Sequence, residues 1–132
     1  VPEERLDWQS SYERNKSLIE TYKNQAKLII TCALHCAAPC VAMGIPVVLI
    51  ALEEENLNRF SAVSGILRIW TKKELKNGQV DFNPNVLDIE SLKKDMLENL
   101  YLSIQKAMGE VIDKVRLEQI RQRIAEFKVP FM

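Results

Sequence analysis

From Leu28 to Leu52 the chain runs LIITCALHCAAPCVAMGIPVVLIAL, with no Asp, Glu, Lys or Arg, while charged residues are spread through the rest. Within this stretch two short runs rich in β-branched residues, KLIIT (27–31) and VVLIA (47–51), flank HCAAPCVAMG (35–44), which is dominated by small side chains. Continuous β-branched runs mark strands buried on both faces of a parallel sheet, and small residues suit a helix packed closely on it. The pattern therefore predicts strand, helix, strand. On length alone the stretch matches the ~20 apolar residues of a membrane span. Gly44-Ile45-Pro46 argues against that reading: Gly accepts the left-handed conformation that ends a helix, and Pro cannot donate to a preceding turn. Pro39 fits if it lies in the helix's first turn.

Elsewhere the apolar spacing is helical. Tyr12, Leu18, Ile19, Tyr22 and Ala26 approximate one face of a helix over 10–26, with Ser10 or Ser11 as the cap. The acidic LEEENLNRF (52–60) reads as a loop, followed by a short helix from Phe60 through Leu67 and a third strand in LRIW (67–70). Asn77-Gly78 and Asn83-Pro84 make KNGQVDFNPNVLDIE (76–90) a loop. C-terminal helices follow over about 89–127. Leu92, Met96, Leu97, Leu100, Tyr101, Ile104, Met108 and Val111 form a stripe that Val115, Ile120, Ile124 and Phe127 extend; Gly109 marks a break. The stripe is expected to cover the sheet. The fold class is α/β, a Rossmann-like parallel sheet with flanking helices, and residues 1–132 form one such domain.

Composition narrows the partners. Acidic and basic side chains balance at 18 each, so no global field draws in nucleic acid or an anionic membrane surface. Three cysteines, Cys32, Cys36 and Cys40, are too close together and odd in number for a disulfide framework. A reducing, cytoplasmic setting is the simpler expectation. The start VPEERLDW has no Met and no signal-peptide pattern, which suggests a piece of a longer protein.

In open α/β sheets, ligands bind beyond the carboxyl ends of strands, where the next helix begins. Here that loop is TCALH (31–35), and it holds His35, the sole histidine. A helix N-terminus offers unpaired N–H groups to an anion. Cys32, His35, Cys36 and Cys40 are metal-ligand types, yet they lack the paired knuckles of a zinc site, so no metal is expected. Glu53, Glu54 and Glu55 follow the second strand at the same sheet edge, either as a solvated loop or as acid–base groups. Arg59 follows within a turn or two and offers a cation for a phosphate. GxGxxG, Walker and GxSxG sequences are absent. Residues alone thus support an anion-binding α/β module.

The run AKLIITCALHCAAPCVAMGIPVVLI (26–50) resembles the C-terminal signature of polysaccharide pyruvyl transferases, through Leu34-His35-x-Ala37-x-Pro39 and Ala42-x-Gly44-x-Pro46. NRFSAVSGILRI (58–69) and VDFNPNVLDIESLKKDML (80–97) extend the likeness over nearly the whole chain. The resemblance implies the donor-side, C-terminal half of a GT-B architecture, in an enzyme of exopolysaccharide or cell-surface glycan synthesis. Phosphoenolpyruvate or another anionic donor would give its pyruvyl unit to a sugar or glycan acceptor held by an N-terminal domain not present in this sequence. No cofactor is implied, and this segment alone is expected to be inert. His35 carries over as the catalytic residue, with Thr31 and Leu34 as pocket formers. Ala33 falls where the family has arginine, and Cys32 where it has serine. Three explanations stand open: Arg59 or another cation substitutes, the donor differs, or activity is lost. The alternatives are a GT-B glycosyltransferase using a nucleotide sugar, and a non-catalytic binding module of the same fold.

Overall fold

Val47–Ala51 forms the middle of a three-stranded parallel sheet, and all five of its residues are buried. In chain order the elements are α1 (Trp8–Gln25), β1 (Ile29–Thr31), α2 (Leu34–Ala42), β2 (Val47–Ala51), α3 (Glu54–Arg59), a 3-10 turn (Ser61–Val63), β3 (Ile69–Thr71), α4 (Lys72–Lys76), α5 (Glu90–Ala107) and α6 (Lys114–Glu126). This computed structural model describes residues 7–129; the first six residues of the VPEERLDW segment lie outside that range. The sheet order is β1-β2-β3. Ile29 pairs with Val47 and Thr31 with Leu49; Leu49 in turn pairs with Ile69 and Ala51 with Thr71.

Alternation along β2 divides the core. Val47, Leu49 and Ala51 pack with Ala37, Cys40 and Val41 of α2, with Phe60 and Val63, and with Ile89 and Leu92 at the start of α5. Val48 and Ile50 point the other way, where Trp70 and Val80 close over them. Each of the larger aliphatic and aromatic side chains among them contributes roughly 1.5–3 kcal/mol on burial. Ala37 and Cys40 are wholly buried. Their small side chains let α2 approach the sheet. The helix stops as its sequence implies: Gly44 has φ +77°, and the Ile45 N–H donates to the Cys40 carbonyl at 3.0 Å. Pro39 differs from expectation. It lies inside α2, beyond the first turn.

The acidic segment is also not a loop. Glu53 is the N-cap of α3, and Glu54 and Glu55 occupy its first turn, where negative charge opposes the positive end of the helix dipole. The apolar residues expected to form a helix over 60–67 instead make the 3-10 turn and its flanks. At α1 the cap is Asp7, which accepts from the Ser10 N–H at 2.8 Å; neither serine caps. Tyr22 and Ala26 reach the core, but Tyr12, Leu18 and Ile19 are exposed.

The C-terminal helices pair with each other. Gly109, at φ +81°, ends α5, and the Glu110 N–H donates to the Gln105 carbonyl at 3.0 Å. Asp113 then caps α6 through the Arg116 N–H at 3.0 Å. Two guanidinium forks bind the helices together: Arg116 donates to Glu98 at 2.8 and 2.9 Å, and Arg123 to Asp95 at 2.9 and 2.7 Å. Leu117 and Ile120 are buried. The stripe on α5 does not cover the sheet as expected. Leu92 is its one buried residue, while Leu97, Leu100, Tyr101, Ile104 and Met108 are all at least half exposed. Helical spacing identifies a coherent apolar face without saying what lies against it. Among the described residues, no helix is long and apolar enough to cross a membrane.

Candidate functional site

Parallel pairing sends the carboxyl ends of all three strands to one edge of the sheet. Three loops gather there: Cys32–Ala33 after β1, Leu52–Glu53 after β2, and the direct passage from Thr71 into α4 after β3. The central strand outlasts β1, since Thr31 pairs with Leu49 and not with Ala51. The β1 loop therefore sits lower along the edge than its neighbours.

The Thr31 hydroxyl accepts the Ala33 N–H at 3.1 Å, pinning the loop two residues on. Ala33 is the N-cap of α2 and makes no side-chain cap bond; its carbonyl accepts from Cys36 and Ala37 at 3.1 and 3.0 Å. Ala33 and His35 are exposed, whereas Leu34 is half-buried and packs against the core. Leu34 thus offers the site its backbone, while its side chain anchors the turn. Arg59 is exposed in the last turn of α3, five residues along the chain from the Glu54 that opens that helix at the carboxyl edge. The passage from β1 into α2 brings Thr31, Ala33 and His35 together, while Arg59 belongs to the last turn of another helix, α3.

Other cations line this edge. A cavity of about 630 Å³ opens over β2 and β3, with Glu53 and Glu54 from the β2 loop and Lys72, Lys73 and Lys76 from α4 among its lining residues. Sequence spacing gives no sign of these lysines unless the short helix α4 is recognised. The signal was present in Thr71-Lys72-Lys73-Glu74, a capping box. The Glu74 N–H donates to Thr71 Oγ1 at 3.2 Å, and Glu74 Oε2 accepts from the Thr71 N–H at 2.8 Å and its hydroxyl at 2.9 Å. The Thr71 N–H, then its hydroxyl and the Arg68 guanidinium, hold the Glu74 carboxyl below the usual range. Glu74 is thereby turned back on its own helix, away from the cavity.

The thiols are graded by depth. Cys32 is exposed, Cys36 half-buried and Cys40 buried, all three free. Burial, with Cys36 beside it, pushes the Cys40 thiol up to about 11, so it stays protonated and unreactive at neutral pH. Among the described residues no three His, Cys, Asp or Glu side chains are grouped to hold a metal ion. A smaller hollow of about 220 Å³ lies at the opposite, amino edge of the sheet. Val41, Ile45, Leu67, Trp70 and Arg68 help to line it, and the Arg68 guanidinium stacks 3.7 Å over the Trp70 ring.

Strand order, register and flanking helices together define a small α/β domain of Rossmann-like topology. No family model, curated protein or solved structure matches the chain.

Proposed function

We propose that this chain is the donor-side domain of a polysaccharide pyruvyl transferase-like enzyme, working in the cytoplasm on a precursor of an exopolysaccharide or surface glycan. The observation that carries the reading is the position of His35: an exposed imidazole in the first turn of a helix, directly beyond the carboxyl end of a parallel strand. That is where α/β sheets present ligands to reacting groups. In pyruvyl transfer a sugar hydroxyl adds to C2 of phosphoenolpyruvate while C3 takes a proton, and phosphate then leaves C2. A second hydroxyl in its place closes the cyclic ketal. His35 supplies the proton to C3 and recovers one from the attacking hydroxyl. Helix N–H groups in the uncapped first turn of α2 hold the donor's carboxylate or phosphate. The acceptor and the remainder of the cleft belong to a further domain of the longer protein.

With one histidine in the chain, the imidazole proton signals need no assignment. Titration with phosphoenolpyruvate is expected to shift them saturably, and His35→Ala to weaken binding about tenfold. In the longer protein the same substitution abolishes phosphate release in the presence of acceptor. Undisturbed imidazole signals together with unchanged affinity in His35→Ala reject the reading. A chain stabilised by nucleotide diphosphate and not by phosphoenolpyruvate points to a nucleotide-sugar glycosyltransferase.

A further inference from the structure

The cavity over β2 and β3 has two charged sides that leave each other unsatisfied. Lys72, Lys73 and Lys76 contribute from α4, Glu53 and Glu54 from the β2 loop, and all five are exposed. Among the described residues none of the five takes part in an ion pair. Glu74, the carboxylate nearest the lysines in sequence, is withdrawn into the capping box and toward Arg68. The basic side therefore keeps its full charge for a ligand. Leu52 and Leu57 are exposed at the same cavity and give it an apolar lip.

We infer that this cavity binds a phosphate or diphosphate ester carrying neighbouring hydroxyls. The lysines hold the phosphate by charge-assisted hydrogen bonds, Glu53 and Glu54 accept from the hydroxyls, and Leu52 and Leu57 lie against the apolar face of the ring. A bare anion would satisfy the lysines and be repelled by the glutamates. A neutral sugar would leave the lysines unused. A ligand with both ends fits the whole lining. The inference rests on the carboxyl edge being the ligand-binding edge, as in the reading above, but not on pyruvyl transfer, and His35 does not line the cavity.

The test is calorimetric titration of the chain with glucose 1-phosphate, uridine diphosphate and inorganic phosphate at low ionic strength, where exposed charges are least screened. One or both esters are expected to bind saturably below about 10 mM and more tightly than inorganic phosphate. Whichever ester binds distinguishes a sugar phosphate from a nucleotide. Lys72→Ser/Lys76→Ser is expected to weaken ester and phosphate alike by about tenfold or more. Glu53→Gln/Glu54→Gln should move the two ligands in opposite directions, tightening phosphate by removing repulsion and weakening the ester. Circular dichroism confirms that these exposed substitutions leave the fold intact. Absence of saturable binding by either ester, insensitivity to the lysine pair, or parallel responses to the glutamine pair each overturn the inference. His35→Ala serves as the control: it is expected to weaken phosphoenolpyruvate binding as stated above while ester binding persists, so this site and the pyruvyl-transfer reading fail separately.

Discussion

The ring nitrogen of Pro39 stands in α2 where an amide would otherwise donate to the carbonyl of His35, four residues earlier. That carbonyl therefore lacks its intrahelical partner, and the turn carrying the imidazole is joined to the rest of α2 by one bond fewer. Pro39→Ala restores the donor. It is expected to raise stability by about 1–2 kcal/mol, the helical gain being partly offset by a more flexible unfolded chain. Urea denaturation measures the gain. A tighter first turn should also change the response of the His35 signals to phosphoenolpyruvate, read from the same titration as above.

Leu49 is wholly buried in the central strand, between Thr31 and Ile69 on its two neighbours. Leu49→Ala leaves a hole in the larger core cluster, at an expected cost of about 2–5 kcal/mol. Against a total of roughly 5–15 kcal/mol, this brings the chain close to unfolding. The urea midpoint should fall with little change in slope.

Acid should loosen the C-terminal hairpin. The hydrogen bonds from Arg123 hold the Asp95 carboxyl below its ordinary 3.8, and those from Arg116 hold Glu98 below its ordinary 4.5. Because both are depressed, the unfolded chain takes up these protons first as pH falls. The stabilisation is complete above those ordinary values and is lost as pH drops through and below them. Thermal melts from about pH 7 to about pH 3 should show this decline, and Asp95→Asn/Glu98→Gln should flatten it. Both pairs are partly exposed, so added salt also weakens them.

Thr71→Ala removes the side chain at the centre of the α4 capping box, at an expected cost of about 0.5–2 kcal/mol. Glu74 is then released from the turn, and frayed ends no longer fix the three lysines. Ester binding in the neighbouring cavity should weaken, although no lysine has been changed. Calorimetry alongside the thermal melt separates this from a general loss of fold.

How well the sequence forecast each element depended on how local its cause was. Val47–Ala51 was legible because an unbroken apolar run rich in β-branched residues has few other homes, and Gly44 and Gly109 because a left-handed residue ends a helix wherever it falls. Short helices were harder. Glu54 and Glu55 resembled a solvated loop although they suit a helix start, and α4 was hidden behind the turn signals of Asn77-Gly78. The α1 cap is Asp7 and not Ser10 or Ser11, although all three residues are of capping type. The α5 stripe is a coherent apolar face yet not a cover for the sheet, since periodicity carries no information about the partner surface. At the candidate site, the loop holding His35 was visible from one strand and one helix. The lysines of α4 have a local signal in the Thr71–Glu74 capping box, but their place beside Glu53 and Glu54 depends on strand register, which no local pattern encodes.

The uncovered row on α5, from Leu97 to Met108, gives the molecule a greasy flank despite its balanced charge. Such a flank behaves as a surfactant does. The chain should adsorb to air–water interfaces and hydrophobic resins, brighten a solvatochromic dye while fully native, and elute earlier from gel filtration as its concentration rises. Leu97→Glu/Tyr101→Lys, which adds one charge of each sign and leaves the net at zero, should cure all three behaviours without disturbing the sheet.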